Sequence, residues 1–247
     1  MGGWISSVFS SRGGKDIFLV NLDENGNLLK TTIDVPDRIA SSTETNISIA
    51  LRVDDKGLII PIAKDDLSLY AYLPMNENRY KFPFYINADF VPKSDREGLN
   101  TDNPWNHFLF YQIGINLVRM VSNIATHSQP QYLNLLLKKE MTSDTVDTEL
   151  LTDAFNRGYK EGLSTYNYII DDEGNKANAN KIIIDKSGLA DLVGNSNFYT
   201  LIGTDKRLPN PDIDTTILAN ELFNIECIKA TDVVDILTNP KFRSTLV

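Results

Sequence analysis

The sequence predicts an α+β protein in two parts: a mixed sheet backed by one long packed helix, then a mainly helical segment. Three observations predict it. Segments before residue 90 alternate apolar and polar side chains. Residues 104–125 carry an apolar stripe at helical spacing. Beyond residue 128, short helical patterns separated by Gly, Pro and Asn outnumber strand-like runs.

Taken in order, residues 1–11 read as a flexible N-terminus. "MGGWISS" matches a myristoylation pattern that is short and common by chance, and a fragment boundary explains a loose Gly- and Ser-rich start equally well. "KDIFLVNLDENGNLLKTTIDV" reads as a hairpin around a strong turn cluster. In "TNISIALRVDDKG", Ile47, Ile49, Leu51 and Val53 alternate, so one strand face is expected to be buried. "LSLYAYLP" is expected to place Leu67, Leu69, Ala71 and Leu73 on one side, and "FPFYINADF" adds another strand.

A helix is expected from Pro104, with Asn103 as its cap, because proline at the first helical position loses no needed donor. Trp105, Phe108, Leu109, Ile113, Leu117, Met120, Val121 and Ile124 recur at three- and four-residue steps, reaching residue 125, and read as core. "THSQPQ" breaks the pattern and marks a boundary between domains at 12–127 and 128–247. The second is expected to hold a short helix over 132–139, a helix over 147–164, two strands joined by the polar loop of "TYNYIIDDEGNKANANKIIIDKSG", and helices over "LADLVG", "SNFYTLIG", "TTILANELFN" and "ATDVVDIL", the last capped by Thr231.

Composition narrows the function classes. A net charge of −9 argues against a nucleic-acid partner, whose binding needs a basic surface. No apolar run reaches the roughly 18 residues of a membrane helix, so no membrane partner is expected. The single cysteine, Cys227, excludes an internal disulfide and suits a reducing compartment, here the cytoplasm. With His107 and His127 it gives too few ligands for a His/Cys metal site.

Catalytic constellations are poorly represented. There is no phosphate-binding glycine loop and no Gly-x-Ser-x-Gly elbow. Cys227 lies between apolar residues and reads as buried rather than nucleophilic, and His107 as a surface or capping residue. Asp205, Asp212 and Asp214 fall among Pro and Asn in "DKRLPNPDIDT", the signature of a solvated loop; a hydrolase built on them would need them to converge in a pocket. One segment remains. After Phe90, Lys93 and Arg96 follow within six positions, with Glu97 able to brace the arginine through a bidentate ion pair. A guanidinium offers a planar fork suited to phosphate and stays charged at any working pH. On the residues alone, a solvated loop and a phosphate contact both stay open.

The order "LYAYLP … FPFYINADFVPKSDREGLNTDNPWNHFLFYQIGINLV" resembles the middle, transducer region of ATPases related to the ninety-kilodalton heat-shock chaperones, nearest to the bacterial sacsin-type branch. The resemblance covers roughly residues 45–125 and implies a fold like the second domain of ribosomal protein S5. In that family a Ser-Arg-Glu segment between strand and helix supplies an arginine to the terminal phosphate of ATP bound in the preceding domain. Carried over, the catalytic and phosphate-binding role falls on Arg96, with Lys93 as a second cation and Glu97 bracing; Asp95 between Ser94 and Arg96 departs from the family pattern. None of that family's nucleotide-site motifs precedes residue 45. The resemblance therefore implies a chaperone-like coupling module that is not an enzyme on its own. ATP with magnesium would enter only with a separate nucleotide-binding domain, in cis or in trans. Protein clients and a second copy in a homodimer are the other partners implied. The alternative is a non-catalytic protein-interaction domain.

Overall fold

Alternation of Ile47, Ile49, Leu51 and Val53 gives one strand an apolar face, and in the computed structural model all four are buried while Asn46 and Arg52 between them are exposed. The structure describes residues 4–12, 18–22, 28–32, 44–56, 59–63, 66–77, 79–94, 98–125, 130–137, 139–142 and 146–238. The expected domain boundary at residues 127–128 lies outside them. Contacts divide the chain into two compact units: Met1–Met120 with Glu140–Gly162, and Val121–Lys139 with Leu163–Val247.

In the first unit, β1 (Trp4–Arg12) and β4 (Glu44–Val53) pair antiparallel with Phe9 opposite Ile47. Between them in sequence, β2 (Phe18–Leu22) and β3 (Leu28–Thr32) form the expected hairpin, its turn lying outside the described residues. β5 (Ile59–Ile60) also pairs with β4. β6 (Leu69–Ala71), β7 (Leu73–Pro74) and β8 (Tyr85–Asn87) complete a six-stranded sheet of order β1-β4-β8-β6-β7. The sheet is mixed, because β6 runs parallel to β8 while the other pairs are antiparallel. Only three residues of β8 pair, yet Phe82, Phe84, Ile86, Ala88 and Phe90 are all buried, so the period-two pattern outruns the ladder.

The expected single face through Leu67, Leu69, Ala71 and Leu73 is corrected at Tyr72. That residue has φ 66°, the chain turns back into β7, and Leu73 is left 74 % exposed. Local bonds hold this turn: the Tyr72 N–H donates to Asn87 Oδ1 at 3.0 Å and its hydroxyl to Asp89 Oδ1 at 3.3 Å. A proline in β7 is tolerated because β7 is an edge strand.

Helix α1 (Pro104–Ile124) starts where expected, with the Trp105 N–H donating to Asn103 Oδ1 at 2.9 Å. Trp105, Leu109, Phe110, Ile113 and Leu117 form its buried stripe. Phe110 packs edge-on against Tyr80 at 4.8 Å, and Phe82 against Phe155 of α2 (Val146–Thr165) at 5.3 Å.

The second unit departs further from expectation. The short helix expected over 132–139 is a 3₁₀ turn at Pro130–Leu135. β9 (Ile169–Ile170) pairs antiparallel with β10 (Lys176–Ala177), but β11 (Ile183–Asp185) is not part of that hairpin. It pairs in parallel with β12 (Glu226–Ile228), a partner roughly forty residues away that no local pattern signals. Between them lie α3 (Leu189–Val193), α4 (Asn195–Ile202) and α5 (Thr215–Leu218). Ile183, Leu189, Phe198, Leu208 and Ile228 make a core for this region.

The polar stretch "NKANANK" proves to cap helix ends. Asn178 Nδ2 lies 2.9–3.0 Å from the carbonyls of Leu163, Ser164 and Tyr166, and Lys176 Nζ donates to the Ser122 carbonyl at 2.5 Å. The cap of α6 (Ala230–Thr238) is likewise corrected. Lys229 occupies the cap position and its N–H donates to Asp232 Oδ2 at 2.8 Å, a carboxylate three residues into the helix, so Thr231 is helical rather than capping.

Candidate functional site: the loop at residues 93–98

Asn-Pro-Trp-Asn does more than start a helix. Asn103 caps it, Pro104 fixes its first φ, and the Trp105 indole N–H donates to the Asp89 carbonyl at 2.9 Å. Asn106 then falls on the buried face, three and four residues before Leu109 and Phe110, and is fully buried. A buried amide needs partners, and Asn106 finds them on both arms of one loop. Its Oδ1 accepts from the Val91 N–H at 2.9 Å, and its Nδ2 donates to the carbonyls of Val91 at 2.7 Å and Asn100 at 2.8 Å.

Above this clamp the two arms pair with each other. The Asn100 N–H donates to the Val91 carbonyl at 3.0 Å, Pro92 and Leu99 form an isolated antiparallel bridge, and the Lys93 N–H donates to the Gly98 carbonyl at 2.8 Å. Residues 91–100 are therefore a narrow-necked projection at the entry to α1. Lys93 and Ser94 are exposed on it. Arg96 and Glu97, with Asp95, lie outside the described residues.

Under the returning arm sits a side chain that the sequence reading missed. Glu77 is 2 % exposed. Its Oε1 accepts from Arg79 Nε at 2.6 Å and from the Arg79 N–H at 3.3 Å, and its Oε2 takes Arg79 Nη2. The Leu99 N–H lies 3.5 Å from the same Oε2, and Gly98 lies against it. "MNENRY" looks like an ordinary polar loop, and its one signal is a Glu-x-Arg spacing able to close a two-residue fork. For Asn106 a signal existed: a polar amide in register with an apolar helix stripe.

The other candidates resolve into separate jobs. His107 is half-buried with Nε2 2.6 Å from the Thr101 carbonyl, which commits that nitrogen as a donor. It borders an open cleft of about 430 Å³ with Asp153, Arg157 and Lys160, the last ion-paired to Glu140 at 2.7 Å. Cys227 is half-buried in β12, its thiol 3.6 Å from the Ile225 carbonyl. Asp205 is exposed and paired with Lys181 at 3.0 Å, which holds its carboxyl below the usual range. Asp214 caps α5 through the Thr216 N–H, and the Asp212 N–H donates to Asn210 Oδ1. Among the described residues no group of three or more His, Cys, Asp or Glu is placed to hold a metal ion.

A polar cluster in the second unit joins the 171–174 turn to α4. The Tyr199 hydroxyl donates to Asp172 Oδ2 at 2.7 Å and accepts from the Leu208 N–H at 3.0 Å, while Arg207 lies over the Tyr199 ring and pairs with Glu173. Burial pushes the Tyr199 phenol up to about 12, and the Asp172 carboxylate adds to this while the Leu208 bond opposes it.

The molecule is an α+β protein with a mixed sheet, and among the described residues no helix is long and apolar enough to cross a membrane. Comparison with protein-family models, with curated proteins and with solved structures gave no match.

Proposed function

We propose that this chain is a coupling module of a chaperone-like ATPase, with a transducer fold of the S5 type. It docks on a separate nucleotide-binding domain, in cis or in trans, and presents Arg96 to the terminal phosphate of ATP held there with magnesium. Lys93 adds a second cation and Glu97 braces the arginine. The observation that carries this reading is the Asn106 clamp. Three hydrogen bonds from one buried amide fix both arms of the 91–100 projection to the first turn of α1, so a group at its tip moves with a rigid helix. Presenting a cation to a transferring phosphoryl group rewards such fixed placement. The resemblance of residues 45–125 supports the same role. The test is Arg96→Ala in the protein with its nucleotide-binding domain: hydrolysis falls by at least about a hundredfold, while the circular dichroism and unfolding midpoint of this chain stay unchanged. Retained hydrolysis removes the arginine role.

One observation favours a protein-interaction domain instead. Tyr72 and Leu73 are 68 % and 74 % exposed, side by side at the edge of the main sheet. On that reading Leu73→Asp leaves the fold intact and releases a partner that co-purifies with the wild-type chain.

A further inference from the structure

The 93–98 loop is clamped at its base by Asn106, but its returning arm rests on a second support. That support is a carboxylate. Glu77 is buried, its two oxygens gather the Arg79 guanidinium edge-on, and Oε2 faces the Leu99 N–H at 3.5 Å with Gly98 packed beside it. The guanidinium is about one-third exposed, so the fork lies where the loop leaves the protein surface. A bidentate carboxylate–guanidinium pair is planar and directional, unlike a hydrophobic wall, and sets the arm it touches in one orientation.

We infer that Glu77 is a positioning residue for the 93–98 loop: together with Arg79 it sets the returning arm, and through that arm the placement of Arg96. This rests on reading the loop as the element that meets phosphate. Glu77 touches no substrate in this scheme; it acts by fixing the geometry of a group 19 residues further along. The isosteric variant Glu77→Gln turns one oxygen into an NH₂ that faces either Arg79 or the Leu99 N–H, donor against donor. Arg79→Lys keeps the charge and loses the fork.

Two readouts test it. The first is amide hydrogen exchange of Lys93 and Leu99 in the full chain. In Glu77→Gln both are expected to exchange about tenfold faster, with Leu117 in the middle of α1 unchanged. Arg79→Lys is expected to give a smaller change of the same kind, and it carries the test if Glu77→Gln fails to fold. Wild-type exchange at both amides in the folded variants overturns the inference. The second readout is hydrolysis with the nucleotide-binding domain present. The turnover number is expected to fall on the order of tenfold to a hundredfold, with KM for ATP unchanged. If Arg96→Ala abolishes hydrolysis while Glu77→Gln speeds exchange without lowering turnover, the positioning role fails and the coupling role stands. If Arg96→Ala leaves hydrolysis intact, the coupling role fails, and with it the placement of Arg96 by Glu77; the exchange data then decide only whether Glu77 orders the arm.

Discussion

A Cβ on Gly158 would sit 2.0 Å from the carbonyl oxygen of Tyr111, so α1 and α2 meet backbone to backbone at this point. Gly114 and Gly162 extend the contact: a Cβ there would come within 2.4 Å of the Phe155 carbonyl and 2.9 Å of Val118 Cγ2. The close approach lets Phe82 reach Phe155 and sets the base from which α1 carries the 91–100 projection. Because backbone atoms cannot swing aside as a side chain does, Gly158→Ala is expected to destabilise the protein by about 3 kcal/mol. Gly203→Ala serves as the contrast. Its φ of 68° strains alanine, but nothing lies within 4 Å, so about 1 kcal/mol is expected. Chemical denaturation followed by tryptophan fluorescence checks both, and equal losses would contradict the backbone contact.

Asn106→Asp tests the loop clamp. The change is isosteric, yet it sets a carboxylate oxygen against the carbonyls of Val91 and Asn100, where an NH₂ now donates. A buried acceptor facing two acceptors is expected to cost at least about 3 kcal/mol, or to force the loop neck open. Crystallography or amide exchange at Val91 and Asn100 separates the two results. Wild-type stability with wild-type exchange would show that the amide is not the clamp.

Local chemistry was legible where the responsible residues sit within a turn or two of each other. Asn103-Pro104 announced α1, and Ile47 through Val53 announced the buried face of β4, because caps and period-two burial act over a few residues. Tyr72 was not legible: a left-handed turn normally advertises itself with Gly or Asn, and here Asn87 and Asp89 hold a tyrosine in that conformation from another strand. The parallel pairing of Ile183–Asp185 with Glu226–Ile228 is non-local and leaves no periodic trace. Of the candidate site, the projection between strand and helix was readable from the order of residues. The Asn106 clamp and the Glu77–Arg79 support exist only once distant segments come together.

Two buried phenols offer an inexpensive check of the cores. The hydroxyls of Tyr80 and Tyr168 are shielded from solvent and have no hydrogen-bond partner among the described residues. An unsatisfied buried hydroxyl opposes folding, and removing it leaves a phenyl ring of nearly the same shape. Tyr80→Phe and Tyr168→Phe are each expected to raise stability by about 1 kcal/mol. The two lie in different units, so each reports on its own core. A loss of stability in either variant would mean that its hydroxyl has a partner in solution.

The same burial predicts how the protein responds to alkali. Burial pushes the phenol of Tyr132 up to about 12, and Tyr111 rises to about 12 through burial and its hydrogen bond to Glu161, while Tyr80 and Tyr168 are driven higher still. In the unfolded chain these groups titrate near 10.0. The folded state therefore favours the neutral phenol. Its contribution is complete below pH 10, and it is lost as pH rises from there through the folded values, because only the unfolded chain ionises freely in that interval. Stability should fall steeply from about pH 10 to about pH 12. Of the ten tyrosines, the buried ones should form tyrosinate only as the circular dichroism collapses. Tyr132→Phe removes one of these groups and should make the decline shallower. If all ten titrate near 10 with the circular dichroism intact, the phenols are not buried as the structure places them.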